Sequence, residues 1–207
     1  MKIKNILIAA VALVASQTAV ASPNLIVNGG FESTTFSGPF TTYLAGSSAL
    51  TDWTIESGSV DLINNYWAPA SGSYSLDLSG YEDGLISQVF NTTQGQTYRV
   101  SFSLAGNPDD ADKVKVVQVG MSNEPFYEFD TTGQTHTNMG WVTKSFDFIA
   151  TDTTSKLFFA GAQESPFGAA LDNISVTAVP EPETYAMFLA GIALMAGIAR
   201  RRNNLLK

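Results

Sequence analysis

An all-β sandwich is the fold class that this sequence predicts, on three observations. Tyr98–Leu104 alternates apolar with polar residues, the period of a half-buried strand. Turn sequences that contain glycine, such as Asn28–Gly30 and Gln94–Gly95, separate segments of this kind. Between residues 22 and 179 we find no convincing 3.6-residue periodicity. Short strands with turns between them are typical of a sandwich or a barrel.

Eleven segments are expected to form the strands. Each is a short run in which apolar residues alternate or cluster, and most are bounded by glycine or polar residues. In chain order they are Leu25–Asn28, Trp53–Ser57, Ser59–Ile63, 73–78, Leu85–Phe90, Tyr98–Leu104, Val114–Val119, Phe126–Phe129, Val142–Ile149, Lys156–Ala160 and Asn173–Thr177. Asn107–Lys113 and Asp130–Asn138 are expected to be polar loops.

The first 21 residues have the pattern of a secretory signal peptide. Lys2 and Lys4 precede the apolar run Ile6–Ala15, and Ala19 and Ala21 supply the small residues that a signal peptidase reads. We expect cleavage after Ala21, which would leave residues 22–179 as one exported β-sandwich domain. A chain of this length can bury a sizeable core.

The last 28 residues form a three-part tail. Pro180-Glu181-Pro182 is followed by the uncharged stretch Tyr185–Ala199 and then by Arg200-Arg201-Arg202. As a helix the uncharged stretch would span about 22 Å, whereas a bilayer core needs about 30 Å. A helix this short suits a transient signal better than a permanent span, and the arginines favour a cytoplasmic end.

This tail, residues 180–207, resembles the PEP-CTERM sorting signal of Gram-negative bacteria. The resemblance implies recognition by an exosortase, at least transient anchoring in the inner membrane, and then a place at the cell surface or in the extracellular matrix. A plain single-span anchor is the alternative reading of the same residues.

The exported domain differs in net charge from the two terminal signals. Residues 22–179 contain five basic and seventeen acidic residues, a net charge of −12. Such a domain repels nucleic acid and anionic lipid, and it favours cations. The charge also argues against a strongly anionic polysaccharide as ligand unless calcium bridges the two. The chain has no Cys, so no disulfide stabilises the domain.

Two motifs bracket the exported domain. Asn28-Gly29-Gly30-Phe31-Glu32 stands near its start, and Ala170–Val176 (sequence ALDNISV) stands at its end. The pair resembles the terminal strands of galactose-binding-like jelly rolls, the fold of many carbohydrate-binding modules. With Trp53 and Gly72–Leu78 between them, the pattern is similar to the choice-of-anchor C family and to a domain of unknown function in plant cell-wall proteins.

The jelly-roll resemblance implies a structural calcium ion shared by the first and last strands. Glu32 and Asp172 are the side chains that match, and carbonyls of Asn28–Gly30 could complete the oxygen shell. The other reading is that both carboxylates cap turns. Asp109–Asp112 is a second cation candidate, although a solvated hairpin loop is the favoured interpretation of that segment.

Sugar binding requires exposed aromatic faces beside polar groups. Trp67 is the preferred ring because it lies in a loop-like setting, although burial of this ring by core or cap packing is an equally open reading, and Tyr66 and Tyr81 are the alternatives. Trp53 and Trp141 each begin an alternating strand, so we interpret both as core residues.

Catalytic motifs are scarce. The one histidine, His136, is interpreted as a solvated loop residue, and no nucleophile elbow, Walker loop or dinucleotide fingerprint is present. We therefore expect a non-catalytic envelope or matrix protein that binds carbohydrate or another surface component. An exported hydrolase acting on polysaccharide stays the alternative, because no acidic pair is singled out by its spacing.

Overall fold

The structure is a computed structural model that describes residues 22–121, 125–180, 191–196 and 198. The described part contains eleven strands. They are β1 Phe40–Leu44, β2 Thr54–Ser57, β3 Ser59–Ile63, β4 Ser75–Asp77, β5 Leu85–Asn91, β6 Thr97–Gly106, β7 Val114–Val119, β8 Phe126–Asp130, β9 Val142–Ile149, β10 Thr154–Gly161 and β11 Ala169–Ala178.

The strands form two antiparallel sheets. One has the order β1-β3-β4-β11-β6-β9, and the other has the order β2-β5-β10-β7-β8. Counted from β4 as the first strand, the last eight strands have the order 1-8-3-6 in one sheet and 2-7-4-5 in the other. This connectivity, with successive strands crossing between the sheets, is a jelly roll. The predicted all-β sandwich is confirmed.

The core lies between the two sheets. Inward-facing rings meet across it, for example Phe102 of β6 and Phe159 of β10, whose centroids are 5.2 Å apart. Trp53 is buried there and its indole N–H donates to the carbonyl of Asn28 at 3.0 Å, so the prediction that it is a core residue is confirmed. Alternation along antiparallel strands places these rings on one face of each sheet.

The basic side chain of Lys115 is fully buried. Lys115 of β7 donates from Nζ to the Asp110 carboxylate at 2.8 Å. The hydrogen bond from Lys115 lowers the pKa of Asp110 to about 2. A buried ammonium group needs such a partner, because desolvation of an unpaired charge is costly.

Three of the predicted strands have the observed bounds, namely Ser59–Ile63, Val114–Val119 and Val142–Ile149. The prediction of a strand at Leu25–Asn28 is wrong. The backbone N–H of Leu25 donates to Val176, but the N–H and C=O groups of Val27 bond the side chain of Gln88, so no ladder forms. The sequence reasoning also missed β1.

The chain leaves the sandwich at the end of β11. Val179 donates to the carbonyl of Thr97 at 2.9 Å, and its own carbonyl accepts from the Gln96 side chain at 2.8 Å. The described chain therefore leaves the sandwich beside the start of β6.

The predicted cleavage residues Ala19 and Ala21 lie outside the described residues, as do Glu181, Pro182 and Arg200–Arg202. Pro180 is described and exposed, and residues 191–196 are helical. In the part of the chain that the structure describes, no helix combines the length and the apolar character needed to cross a membrane.

Candidate functional site

A cleft of about 260 Å³ lies over the outer face of the six-stranded sheet, at β1, β3 and β4. Leu62 and Leu76 of β3 and β4 face the core, and their neighbours Asp61 and Asp77 face the cleft. The loops after β3, β4 and β6 and the segment before β11 form the walls. The lining residues are Phe40, Thr42, Asp61, Ile63, Tyr66, Trp67, Asp77, Gly80, Tyr81, Asn107, Pro166 and Phe167.

All three predicted sugar-binding rings line this cleft. Tyr81 is 76% exposed and Tyr66 is partly buried. Of the two readings of Trp67, burial is the correct one and exposure of the loop ring is wrong, because only 3% of the residue is accessible. Its indole N–H donates to Ser75 Oγ of β4 at 2.8 Å, which places the ring across the outer face of the sheet.

Asp77 is a fully buried carboxyl group beneath the cleft. Its Oδ1 accepts backbone N–H groups from Ser79 and Gly168, both at 3.0 Å, and its Oδ2 accepts from the Asn107 amide at 2.9 Å. Burial raises the pKa of Asp77 to about 8, and the nearby charge of Asp61 also raises it. The three donors tie the ends of β4, β6 and β11 together under the cleft.

Asp61 is the neighbour of Asp77 across the β3–β4 ladder. Its Oδ1 accepts from the Thr42 hydroxyl at 2.5 Å, and burial raises its pKa. Sequence reasoning missed both carboxyl groups as site residues. Each stands between apolar residues in a strand, a position where an acidic side chain is uncommon.

A hydrogen-bonded cluster joins three loops at the rim of the cleft. The Tyr66 hydroxyl donates to Asp109 Oδ2 at 2.6 Å, and His136 Nε2 lies 2.8 Å from Asp109 Oδ1. The hydrogen bond to Asp109, together with burial, raises the pKa of Tyr66 to about 12. His136 is a partly exposed loop residue, as expected, but it is also held in place: its ring contacts that of Tyr66, with centroids 4.6 Å apart.

The carboxylates of Glu32 and Asp172 hold one loop from two sides. Asp172 Oδ2 accepts the N–H groups of Ala70 and Ser71 at 2.9 and 3.0 Å. Glu32 Oε1 accepts those of Ser73 and Tyr74 at 2.8 and 2.9 Å. We call residues 70–74 the clasped loop.

Glu32 and Asp172, the two side chains of the predicted calcium site, are the carboxylates that hold the clasped loop. The charge of Glu32 contributes to raising the pKa of Asp172 to about 6, after the larger effect of burial, so the two groups interact. Carboxylates suit calcium, but the oxygens named above face N–H donors, with which a cation would compete. Among the described residues, no three acidic or histidine side chains converge to hold a metal. Backbone carbonyls would have to supply the remaining ligands, and the calcium site stays a prediction.

The acidic segment Asp109–Asp112 is engaged in contacts with the protein. Asp109 bonds Tyr66 and His136, and Asp110 bonds Lys115 and also accepts from Ser165 Oγ at 3.1 Å. The segment thus connects loops on both sides of the cleft rim, which is more structure than a solvated hairpin loop implies.

Comparison with known proteins places the domain in a family. Residues 24–177 match the family described as "Protein of unknown function (DUF642)", and the chain belongs to it. Residues 178–203 match the PEP-CTERM protein-sorting motif, which confirms the interpretation of the tail and implies export to a surface or extracellular location. The resemblance to the choice-of-anchor C family stays a prediction.

One curated relative is halomucin of Haloquadratum walsbyi, which is 33% identical over 188 residues. That match covers 86% of this chain, but the chain spans only 2% of the length of halomucin.

Solved structures with a similar fold include three modules. TmCBM61 in complex with β-1,4-galactotriose has a TM-score of 0.46 at 19% identity, over 76% of this chain and all of that one. A family 16 carbohydrate-binding module has a TM-score of 0.46 at 17% identity, and the match covers 74% of this chain and 99% of the module. A family 35 carbohydrate-binding module from Clostridium thermocellum has a TM-score of 0.41 at 15% identity, and the match covers 68% of this chain and 92% of the module.

Proposed function

We propose that this protein is a non-catalytic envelope or matrix protein that binds carbohydrate in the cleft on its six-stranded sheet. An exosortase sorts it through the C-terminal motif. The observation that supports binding is the composition of the cleft: the exposed ring of Tyr81 and the partly buried ring of Tyr66 stand beside Asp61 and Asn107.

Carbohydrate suits this lining because a sugar has both an apolar face and a rim of hydroxyl groups. The apolar face packs on an aromatic ring, and the hydroxyls exchange hydrogen bonds with carboxylate and amide groups. The acceptor Asp61 and the net charge of −12 over residues 22–179 favour neutral sugars over anionic ones. One exposed ring and a few hydrogen bonds predict weak binding.

An exported polysaccharide hydrolase is the second candidate. The raised pKa of Asp77 favours it, because a general acid must hold its proton near neutral pH. Binding without hydrolysis is better supported. Both oxygens of Asp77 already accept hydrogen bonds from the protein. The side chain is also buried beneath the cleft, whereas a general acid has to contact the glycosidic oxygen of its substrate.

The experiment that tests this proposal is a glycan array with the purified protein, followed by an assay for released sugars on every glycan that binds. We expect binding without release. Release that is lost in Asp77→Asn would establish the hydrolase instead. Failure to bind any glycan would shift the function to a structural matrix protein with protein partners.

A further inference from the structure

A second depression, of about 570 Å³, adjoins the cleft. The two cavities share Tyr66 and Trp67 as lining residues. The depression lies beyond these rings, over the loop after β3 and the loop that carries His136.

The ring of Tyr66 stands between the two cavities. On the cleft side its centroid is 5.4 Å from that of Phe40, and on the side of the depression it is 4.6 Å from that of His136. Asp109 fixes the hydroxyl end of Tyr66 by a hydrogen bond of 2.6 Å. A ring held in this way presents a fixed surface to both cavities.

The depression has a polar, hydrogen-bonding lining. Its polar side chains are those of Asn64, Asn65, Ser73 and Thr137, together with His136, and no carboxylate or lysine is among its lining residues. Asn65, Ser73 and Thr137 are exposed, so a ligand can enter the depression from solvent. Amide and hydroxyl groups beside apolar surface are suited to the hydroxyls of neutral sugars.

We propose that the cleft and the depression form one continuous groove that binds several consecutive neutral sugar residues of a glycan chain. This inference rests on the proposed function and specifies its ligand class: a stretch of polysaccharide rather than a single terminal sugar. Sugar units on both sides of Tyr66 would each add contacts, so affinity should depend on chain length.

Isothermal titration with the full-length protein tests this inference. The probes are neutral β-1,4-linked galactose, glucose and xylose oligosaccharides of one to six units. For the series that binds, affinity should rise at least about tenfold between two and five units and then level off. The double variant Asn65→Ala/Thr137→Ala should lose this rise and keep the affinity for the short oligosaccharide. Asn91→Ala, an exposed amide at the end of β5, is the matched control and should behave as wild type.

The outcomes separate the two proposals. Binding of short sugars with no gain from added units would overturn the extended groove and leave the carbohydrate-binding cleft in place. A gain from added units that survives the double variant would also overturn it, because the extra units would then bind elsewhere. Failure to bind any of these oligosaccharides, together with failure to bind any glycan on the array, would overturn the proposed function itself.

Discussion

Trp67→Ala is expected to destabilise the domain severely, although the residue lies in a loop. The indole is 3% exposed and spans the outer face of the sheet, where its N–H donates to Ser75 Oγ. Truncating a buried tryptophan to alanine costs about 3–5 kcal/mol. The buried hydroxyl of Ser75 would also lose its partner, which costs about 1–3 kcal/mol.

The two contributions can be separated with a set of variants. Trp67→Phe keeps most of the ring and loses the hydrogen bond, so it should cost about 1–3 kcal/mol. Adding Ser75→Ala to Trp67→Phe should recover part of that loss, because no buried hydroxyl is then left unpaired. Tyr81→Ala, at a ring of the same cleft that is 76% exposed, should change stability by less than about 0.5 kcal/mol.

Urea unfolding of the full-length protein, monitored by circular dichroism, measures these differences in the free energy of unfolding, provided that the m-value is the same in every variant. A Trp67→Ala variant within about 1 kcal/mol of wild type would refute the reasoning. It would mean that Trp67 contributes to the cleft alone and that the sheet does not depend on it.

Three further predictions concern pH, calcium and sorting. Burial raises the pKa of Asp77 from 3.8 to about 8, so the folded protein keeps a proton that the unfolded chain releases. The free energy of unfolding should therefore fall as pH rises from about 4 to about 8. Thermal melts across this pH range should show a weaker dependence in Asp77→Asn than in wild type. Parallel pH profiles for the two proteins would contradict this prediction. If Glu32 and Asp172 share a calcium ion, calcium at a hundredfold excess over its Kd should add about 2.7 kcal/mol. Glu32→Ala or Asp172→Ala should then abolish the difference between calcium and chelator, whereas a wild type that melts equally in both has no such ion. Replacing Pro180–Pro182 with alanines should reduce surface display in an exosortase-positive host, because the rigid extended segment is lost; unchanged localisation and processing would favour a plain anchor.

Local alternation was enough to predict most of the sandwich. Strands such as Val142–Ile149 expose one face and half-bury the other, and that contrast is visible in the sequence. β1 was missed because it is a short edge strand that pairs with β3 alone, and its residues Phe40–Leu44 show no period of two. Leu25–Asn28 looks like a strand, but Leu25 makes one backbone hydrogen bond to Val176 and Val27 bonds the side chain of Gln88, so no ladder forms.

The candidate site was predicted only in part. Tyr66, Trp67 and Tyr81 were chosen from their aromatic character, and they do line one cleft. The burial of Trp67 depends on Ser75, and the clasped loop depends on Glu32, 41 residues away from Ser73. Contacts of this kind follow from tertiary packing, and the residues adjacent to either partner give no sign of them.

The central claim is that the cleft on the six-stranded sheet binds carbohydrate, and Tyr81 tests it most directly. Isothermal titration should compare wild type with Tyr81→Ala, using a glycan that binds on the array. Phe126→Ala is the matched control, since that ring is 54% exposed on β8 and is not among the residues that line the cleft. We predict that Tyr81→Ala weakens binding about tenfold or more, equivalent to about 1.4 kcal/mol, and that Phe126→Ala leaves it unchanged. Equal affinity in Tyr81→Ala and wild type, or a loss in Phe126→Ala alone, would contradict the assignment of the cleft.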